Sequence, residues 1–509
     1  MAILEMRSRK PAGSSSKALD YDVVVIGAGF SGIGAGIKLK EAGMSFIILE
    51  KAEDIGGTWR DNTYPGIAVD ITSFTYSFSF EQNPNWSRIF APGNELQQYA
   101  HHCVDKYGIQ SNFKFNTSVE KAVFDEEANT WSIYTEKGHC ITSRYLVTAT
   151  GGLTQPKLPN IPGIKDFKGK MVHTARWDHN YDLNNKRVAI IGTGATSVQL
   201  VPSIAAKVKQ LDVYQRTAIW ILPKPDAEIP GFLQWMFENI PGAQNSIRNL
   251  TTFITELVMV FGIVYNKQTP QLIKMIEAIC LQHLKSQVKD PVTREKLTPK
   301  YDFGCKRPSF SSEYYLSFNR DNVDLITEPI ERITKDSIIT SDGNQRKIDT
   351  LICATGFKVF EKGNTPPFEV YGRDGLELGD YWDKNRYQAY EGASVPKFPN
   401  MFLIWGPYTA SGSSWFSMIE TQVNHTMRCL KEARKRGVER IEISQKAHDD
   451  YFQEILARQQ NTVFYNRDCA YSNSYYFDKH GDAPFYRPSS GIEMYIRSKI
   501  FNLDHYEYS

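Results

Sequence analysis

Two glycine-rich turns, each closing an apolar run, carry the residues best suited to chemistry. The first is Gly27-Ala28-Gly29-Phe30-Ser31-Gly32 after Val23-Val24-Val25-Ile26, and the second is Gly192-Thr193-Gly194-Ala195-Thr196-Ser197 after Val188-Ala189-Ile190-Ile191. Glycines at these spacings give a tight bend, let the backbone approach a pyrophosphate, and let the next helix pack closely, while the helix N-terminus favours negative charge. One such turn binds one dinucleotide, so two predict a flavin and a nicotinamide on the same chain. Glu50, at the end of the strand after the first turn, is placed to accept hydrogen bonds from an adenosine ribose. The equivalent place after the second turn holds Arg216, followed by Thr217. A guanidinium pairs bidentately with phosphate, so Arg216 predicts selection of NADPH through its 2′-phosphate. Ser197 replaces the third glycine of the second turn and is small enough to keep the packing close.

These turns must be held by alternating strands and helices. Asp22 to Ile26 reads as a buried parallel strand, Ser31 to Ala42 as a helix ended by Gly43, and Phe46 to Glu50 as the next strand. Alternation around Thr130 to Tyr134 predicts a small antiparallel insertion, and Tyr145 to Thr150 a return to the sheet. The run Gln155 to Gly163, with three prolines, reads as a crossing between domains. A second βαβ unit starts at Arg187 and has its second strand at Leu211 to Arg216. Helical spacing then dominates, as in Leu272, Ile273, Ile276, Ile279, Cys280 and Leu284 after Pro270. Ala354-Thr355-Gly356 nearly repeats Ala149-Thr150-Gly151. The fold class is therefore α/β.

At 509 residues the chain needs more than one core. A net charge of +2, from 59 basic and 57 acidic residues, argues against a nucleic-acid partner. The seven cysteines (103, 140, 280, 305, 353, 429 and 469) form no Cys-x-x-Cys pair, so neither a disulfide framework nor a metal site is expected, and a reducing, cytoplasmic compartment fits. The first twenty residues have no apolar stretch of signal type and read as a disordered tail. The most apolar run, Leu257 to Val264, is far short of the roughly 20 residues that cross a bilayer and reads as a buried helix, a membrane-touching one being the alternative.

Between the turns, Phe167-Lys168-Gly169-Lys170-Met171-Val172-His173-Thr174-Ala175-Arg176-Trp177-Asp178 fits Phe-x-Gly-x-x-x-His-x-x-x-Trp-Asp. After the first turn, Gly56-Gly57-Thr58-Trp59 leads to Tyr64-Pro65-Gly66 and Asp70. With Gly304-Cys305-Lys306-Arg307-Pro308, these segments resemble the Baeyer-Villiger monooxygenases from about Tyr21 through Thr421. The resemblance implies a two-dinucleotide-binding-domain flavoprotein with two Rossmann-like domains. An FAD domain would comprise 21–158 and 390–509, an NADPH domain 159–224 and 301–389, and a helical insertion 225–300. It implies that FAD touches Gly27, Gly29, Phe30, Ser31, Gly32, Glu50, Thr58, Trp59, Asp70, Tyr76 and Val119. NADPH would meet Gly192, Thr193, Gly194, Ala195, Thr196, Ser197, Gln199, Arg216, Thr217 and Lys306. Arg307 would reach the flavin as the catalytic cation with Asp70 orienting it, and Phe167, Gly169, His173, Trp177 and Asp178 would fix the linker without touching substrate.

The activity so implied is oxidation of a ketone by O₂ to an ester or lactone through a flavin C4a-peroxide. Two other readings use the same parts: S- or N-oxygenation, and a flavin-binding redox protein without oxygenase turnover. Trp177-Asp178 and the Lys306-Arg307 pair favour ketones. Oligomeric state and the identity of the ketone are left open.

Overall fold

The computed structural model describes residues 18–410 and 414–509; the expected N-terminal tail lies almost wholly outside them. The chain opens with β1 (Tyr21–Ile26), α1 (Phe30–Glu41) and β2 (Phe46–Leu49), with β1 and β2 parallel and β2 wholly buried. After β3 (Phe113–Lys114), the strands β4 (Val119–Asp125), β5 (Thr130–Thr135) and β6 (Cys140–Thr148) form the antiparallel insertion. The second half of β6 lies parallel to β1 and delivers Ala149-Thr150-Gly151 to the first glycine turn.

The second domain is a five-stranded parallel sheet. Along the chain come β7 (Lys170–His173), β8 (Arg187–Ile191), α2 (Ala195–Ile204) and β9 (Gln210–Tyr214). Helices α3 (Gly231–Asn239), α4 (Ala243–Met259) and α5 (Pro270–Gln287) follow, then β10 (Val323–Ile326) and β11 (Thr350–Cys353). The sheet order is β10-β9-β8-β11-β7. Their apolar side chains bury on both faces, as all-parallel strands require. Strand β9 ends at Tyr214, so Arg216 stands two residues beyond it in an exposed turn and not on the expected strand.

The chain returns to the first sheet earlier than expected. Strand β12 (Glu369–Tyr371) pairs with β4, so the boundary expected at 389/390 falls before residue 369. Strand β13 (Met401–Leu403) joins the second half of β6, and α6 (Trp415–Arg436) packs on α1, with α7 (Gly491–Ile500) against α6.

Two further expectations are corrected. Cys305 and Cys469, 164 residues apart, form a disulfide. No local Cys-x-x-Cys spacing could announce a pair that tertiary folding alone brings together, and the cysteines therefore no longer point to a reducing compartment. The apolar run at 257–264 is not buried as a whole. It belongs to a longer helical stretch, Ala243–Val264, on which Leu257, Val258 and Phe261 are exposed.

Candidate active site

Both glycine turns open onto one cleft of about 2550 Å³ between the two sheets. Gly27 has φ +109°, and a Cβ there would lie 2.6 Å from the Ala149 carbonyl oxygen. A Cβ on Gly32 would meet the Gly27 carbonyl oxygen at 1.9 Å, so neither position admits a side chain. The second turn solves the same problem differently: the Ser197 hydroxyl donates to the Gly192 carbonyl at 2.6 Å. Gly32 and Ser197 pack behind their turns, whereas the other residues expected at the cofactors all line the cleft.

Glu50 is buried and braced. Its carboxylate accepts the Ala28 N–H at 2.9 Å and the Ala52 N–H at 3.0 Å, and it pairs with Arg60 at 3.2 Å. It thus fixes the turn it was expected only to complement. Trp59 Nε1 donates to Tyr76 Oη at 3.1 Å, with the two rings edge to face.

At the centre of the cleft Arg307 meets Asp70, 237 residues away in sequence, through a fork: Nε to Oδ2 at 2.8 Å and Nη2 to Oδ1 at 2.7 Å. Asp70 holds the guanidinium firmly charged against the burial that opposes it. Three tyrosines of the C-terminal segment, Tyr475, Tyr476 and Tyr486, surround the same guanidinium. Sequence reasoning found no role for them, because the loop that carries them has no periodicity. Burial pushes the Tyr475 phenol up to about 12 and keeps its proton on.

Lys306 lines the same cleft, beside Arg216. Burial, and then the neighbouring charge of Arg216, push its ammonium down to about 8. Among the described residues neither cation makes an ion pair. Two cations left facing each other need a multivalent anion, and a phosphate monoester fits that need. Thr193 Oγ1 donates to the Thr217 carbonyl at 2.8 Å, and Asn473 Nδ2 donates to Thr217 Oγ1 at 2.8 Å, so the Arg216 turn is held from both sides.

The 64–70 segment also joins the domains. Gln199 on α2 donates to the Ala68 carbonyl at 2.9 Å and accepts from Tyr64 Oη at 2.9 Å. Both ends of its amide therefore brace the seam, on a residue that also lines the cleft. Gly66 packs directly on α2, where a Cβ would meet Ser203 Oγ at 2.2 Å and the Gln199 carbonyl oxygen at 2.7 Å.

None of the five linker residues lines the cleft. Gly169 has no room for a side chain between Asp349 and Phe167, and Phe167 is buried. The His173 ring accepts the Ala175 N–H at Nδ1, and burial depresses its pKa, so it is neutral with its proton on Nε2. Trp177 packs against the apolar cluster of the second domain, which also takes in Tyr64 from the first, and Asp178 pairs with Lys170. On either side, Arg176 pairs with Asp61 at 3.1 Å and His179 meets Thr63 at 2.8 Å.

The family model of the pyridine nucleotide-disulphide oxidoreductases matches residues 24–240. A Baeyer-Villiger monooxygenase of Pseudomonas aeruginosa is 40% identical over 441 residues, spanning 86% of this chain and 82% of that protein. The chain belongs to the Baeyer-Villiger monooxygenase family. Cyclohexanone 1,2-monooxygenase of an Acinetobacter species is 32% identical over 487 residues, covering 88% of this chain and 89% of its own. Among solved structures, OTEMO in complex with FAD and NADP superposes with a TM-score of 0.84 at 28% identity, over 97% of this chain and 100% of that one. In this Baeyer-Villiger monooxygenase two dinucleotide-binding domains face one cleft. The enzyme's least foreseeable site residues are Arg60, Tyr475, Tyr476 and Tyr486. Arg60 at least stood inside the Gly56–Asp70 motif, whereas Tyr475 and Tyr476 stood out only as part of the aromatic-rich run Asn473 to Gly481, and Tyr486 lay beyond it.

Proposed function

We propose that the chain oxidises ketones to esters or lactones with NADPH and O₂, and that the Arg307–Asp70 fork is the catalytic centre. The fork carries this reading: it fixes a charged guanidinium in the cleft onto which both glycine turns open. FAD is held by Gly27, Gly29 and the Thr58–Trp59 turn of a domain formed by 21–158 and the chain from Glu369 onward. NADPH is held by Gly192 to Thr196, Arg216 and Lys306. FAD held there and reduced by NADPH would supply the O₂-activating chemistry, one oxygen atom going to the ketone and the other leaving as water.

The residues do the rest. Arg307 places a fixed positive charge where the carbonyl oxygen gains negative charge, and such preorganised donors act most strongly where water is excluded. Asp70 keeps the guanidinium in plane and balances its charge. Tyr475 and Tyr476, both kept protonated by burial, close the site on the C-terminal side. A requirement for NADPH supports a cytoplasmic location, where the reduced dinucleotide is available. The test is NADPH consumption with and without a panel of linear, cyclic and aryl ketones, paired with product mass. A gain of one oxygen atom on a ketone is expected. NADPH consumption indifferent to every ketone, with oxygen appearing on a sulfide or amine instead, would replace this reading.

A further inference from the structure

Helix α4 is amphipathic in the inverted sense. From Ala243 to Val264 the only charged residues are Arg248 and Glu256, and both are buried. Arg248 donates to the Phe74 carbonyl and Ser77 Oγ, Gln244 donates to the Asn83 carbonyl, and Glu256 accepts the Gly491 N–H. The outward face carries Leu250, Phe253, Leu257 and Phe261, all exposed, with Phe253 at 55%. Water-facing helices show the opposite pattern. The hydrogen bonds of the polar face also fix the rotation of the helix, so the apolar stripe cannot turn inward.

We infer that this stripe docks on an anionic lipid surface, with the cleft mouth against the bilayer so that apolar ketones dissolved in the lipid are its substrates. Three observations select this occupant. The stripe is continuous with the cleft, because Ile254 and Val258 on α4 and Met275 and Ile279 on α5 are at once exposed and cleft-lining. The exposed charges of the helical region are mostly cationic: between residues 231 and 290 they are Lys267, Lys274, Lys285 and Lys289 against Glu238 and Asp290. Exposed Phe232 and Trp235 on α3 add the aromatic side chains that favour a lipid headgroup region. The stretch is 22 residues long, enough to cross a bilayer, yet its polar face is hydrogen-bonded to the protein, so the helix lies on the surface. The substrate half of this inference rests on the ketone oxidation proposed above; the docking half does not.

The test is co-sedimentation of the FAD-loaded enzyme with vesicles of phosphatidylcholine, and of phosphatidylcholine mixed with phosphatidylglycerol. Binding to the anionic vesicles, weakened by salt, is expected. Phe253→Gln with Leu257→Gln should lower it at least about tenfold, since burying either side chain in lipid contributes a large apolar transfer term. The exchange Phe253→Leu with Leu257→Phe should restore it. Neither residue lines the cleft, so both variants should keep FAD and oxidise a short, water-soluble ketone as before, while turnover of a long-chain ketone presented in vesicles falls with binding in the Gln variant alone. No binding of the parent enzyme to anionic vesicles overturns the inference. So does a dimer, seen by sedimentation without lipid, that the Gln pair dissolves, because a second copy would then cover the stripe. Vesicle binding without turnover of either ketone would leave the docking intact and remove the ketone reading.

Discussion

Lys306 and Arg216 set two positive charges side by side with no carboxylate between them. Charge-assisted hydrogen bonds contribute about 1.5–3 kcal/mol each, so Arg216→Ala should raise KM for NADPH roughly tenfold or more and leave KM for NADH nearly unchanged. The low pKa of Lys306 gives this site a pH signature. Its ammonium is lost as pH rises through about 8, and a bound phosphate favours the charged form again. KM for NADPH should therefore climb above that pH while KM for NADH stays flat, and Lys306→Met should remove the difference. Arg307 should behave otherwise. Loss of a single oxyanion donor reduces rates by roughly 10²–10³, so Arg307→Ala should keep FAD but lose ester formation by that factor. The measurement is ester yield after chemical reduction in the presence of NADP⁺, then mixing with O₂ and ketone; normal yield would confine Arg307 to the reductive half.

At the scale of elements, the 64–70 segment and the linker both cross from one domain to the other. Gln199 makes two of the crossing hydrogen bonds, each worth about 0.5–1.5 kcal/mol. Gln199→Ala should retain FAD yet consume more NADPH per ester formed, and His173→Ala should do the same, read as the ratio of NADPH oxidised to ester produced. Unchanged ratios in both variants would leave these contacts without a part in coupling. What the sequence made legible follows a physical division. The βαβ units stood out because buried parallel strands are continuous apolar runs and the turn between them must be glycine. The Asp70–Arg307 pair could be named only through a motif resemblance, since 237 residues separate its members. The three-residue strand β12, the Cys305–Cys469 bond and the tyrosines around Arg307 arise from tertiary contacts with no local period, and were out of reach. Arg216 was assigned to a strand because the apolar run ends just before it, whereas pairing with β10 stops at Tyr214.

In the whole molecule, the cleft lies between two sheets whose domains touch at the 64–70 segment, and Gly66 lies on that seam. With nothing but hydrogen between its backbone and the carbonyl of Gln199, the two domains meet there as surfaces without a knob, like the bearing of a hinge. A methyl group would act as a wedge. Gly66→Ala must push the Gln199 backbone away, and Gly43→Ala, equally left-handed but with nothing within 4 Å, reports the conformational strain alone. If the seam is a bearing, the alanine at 66 should lower stability no more than the steric contact demands while holding the cleft ajar. NADP⁺ should then leak from the oxygenating enzyme during turnover, and stopped-flow release rates should rise at position 66 but not at 43. Equal release rates in the two variants would mean that the domains do not bear on each other at this point.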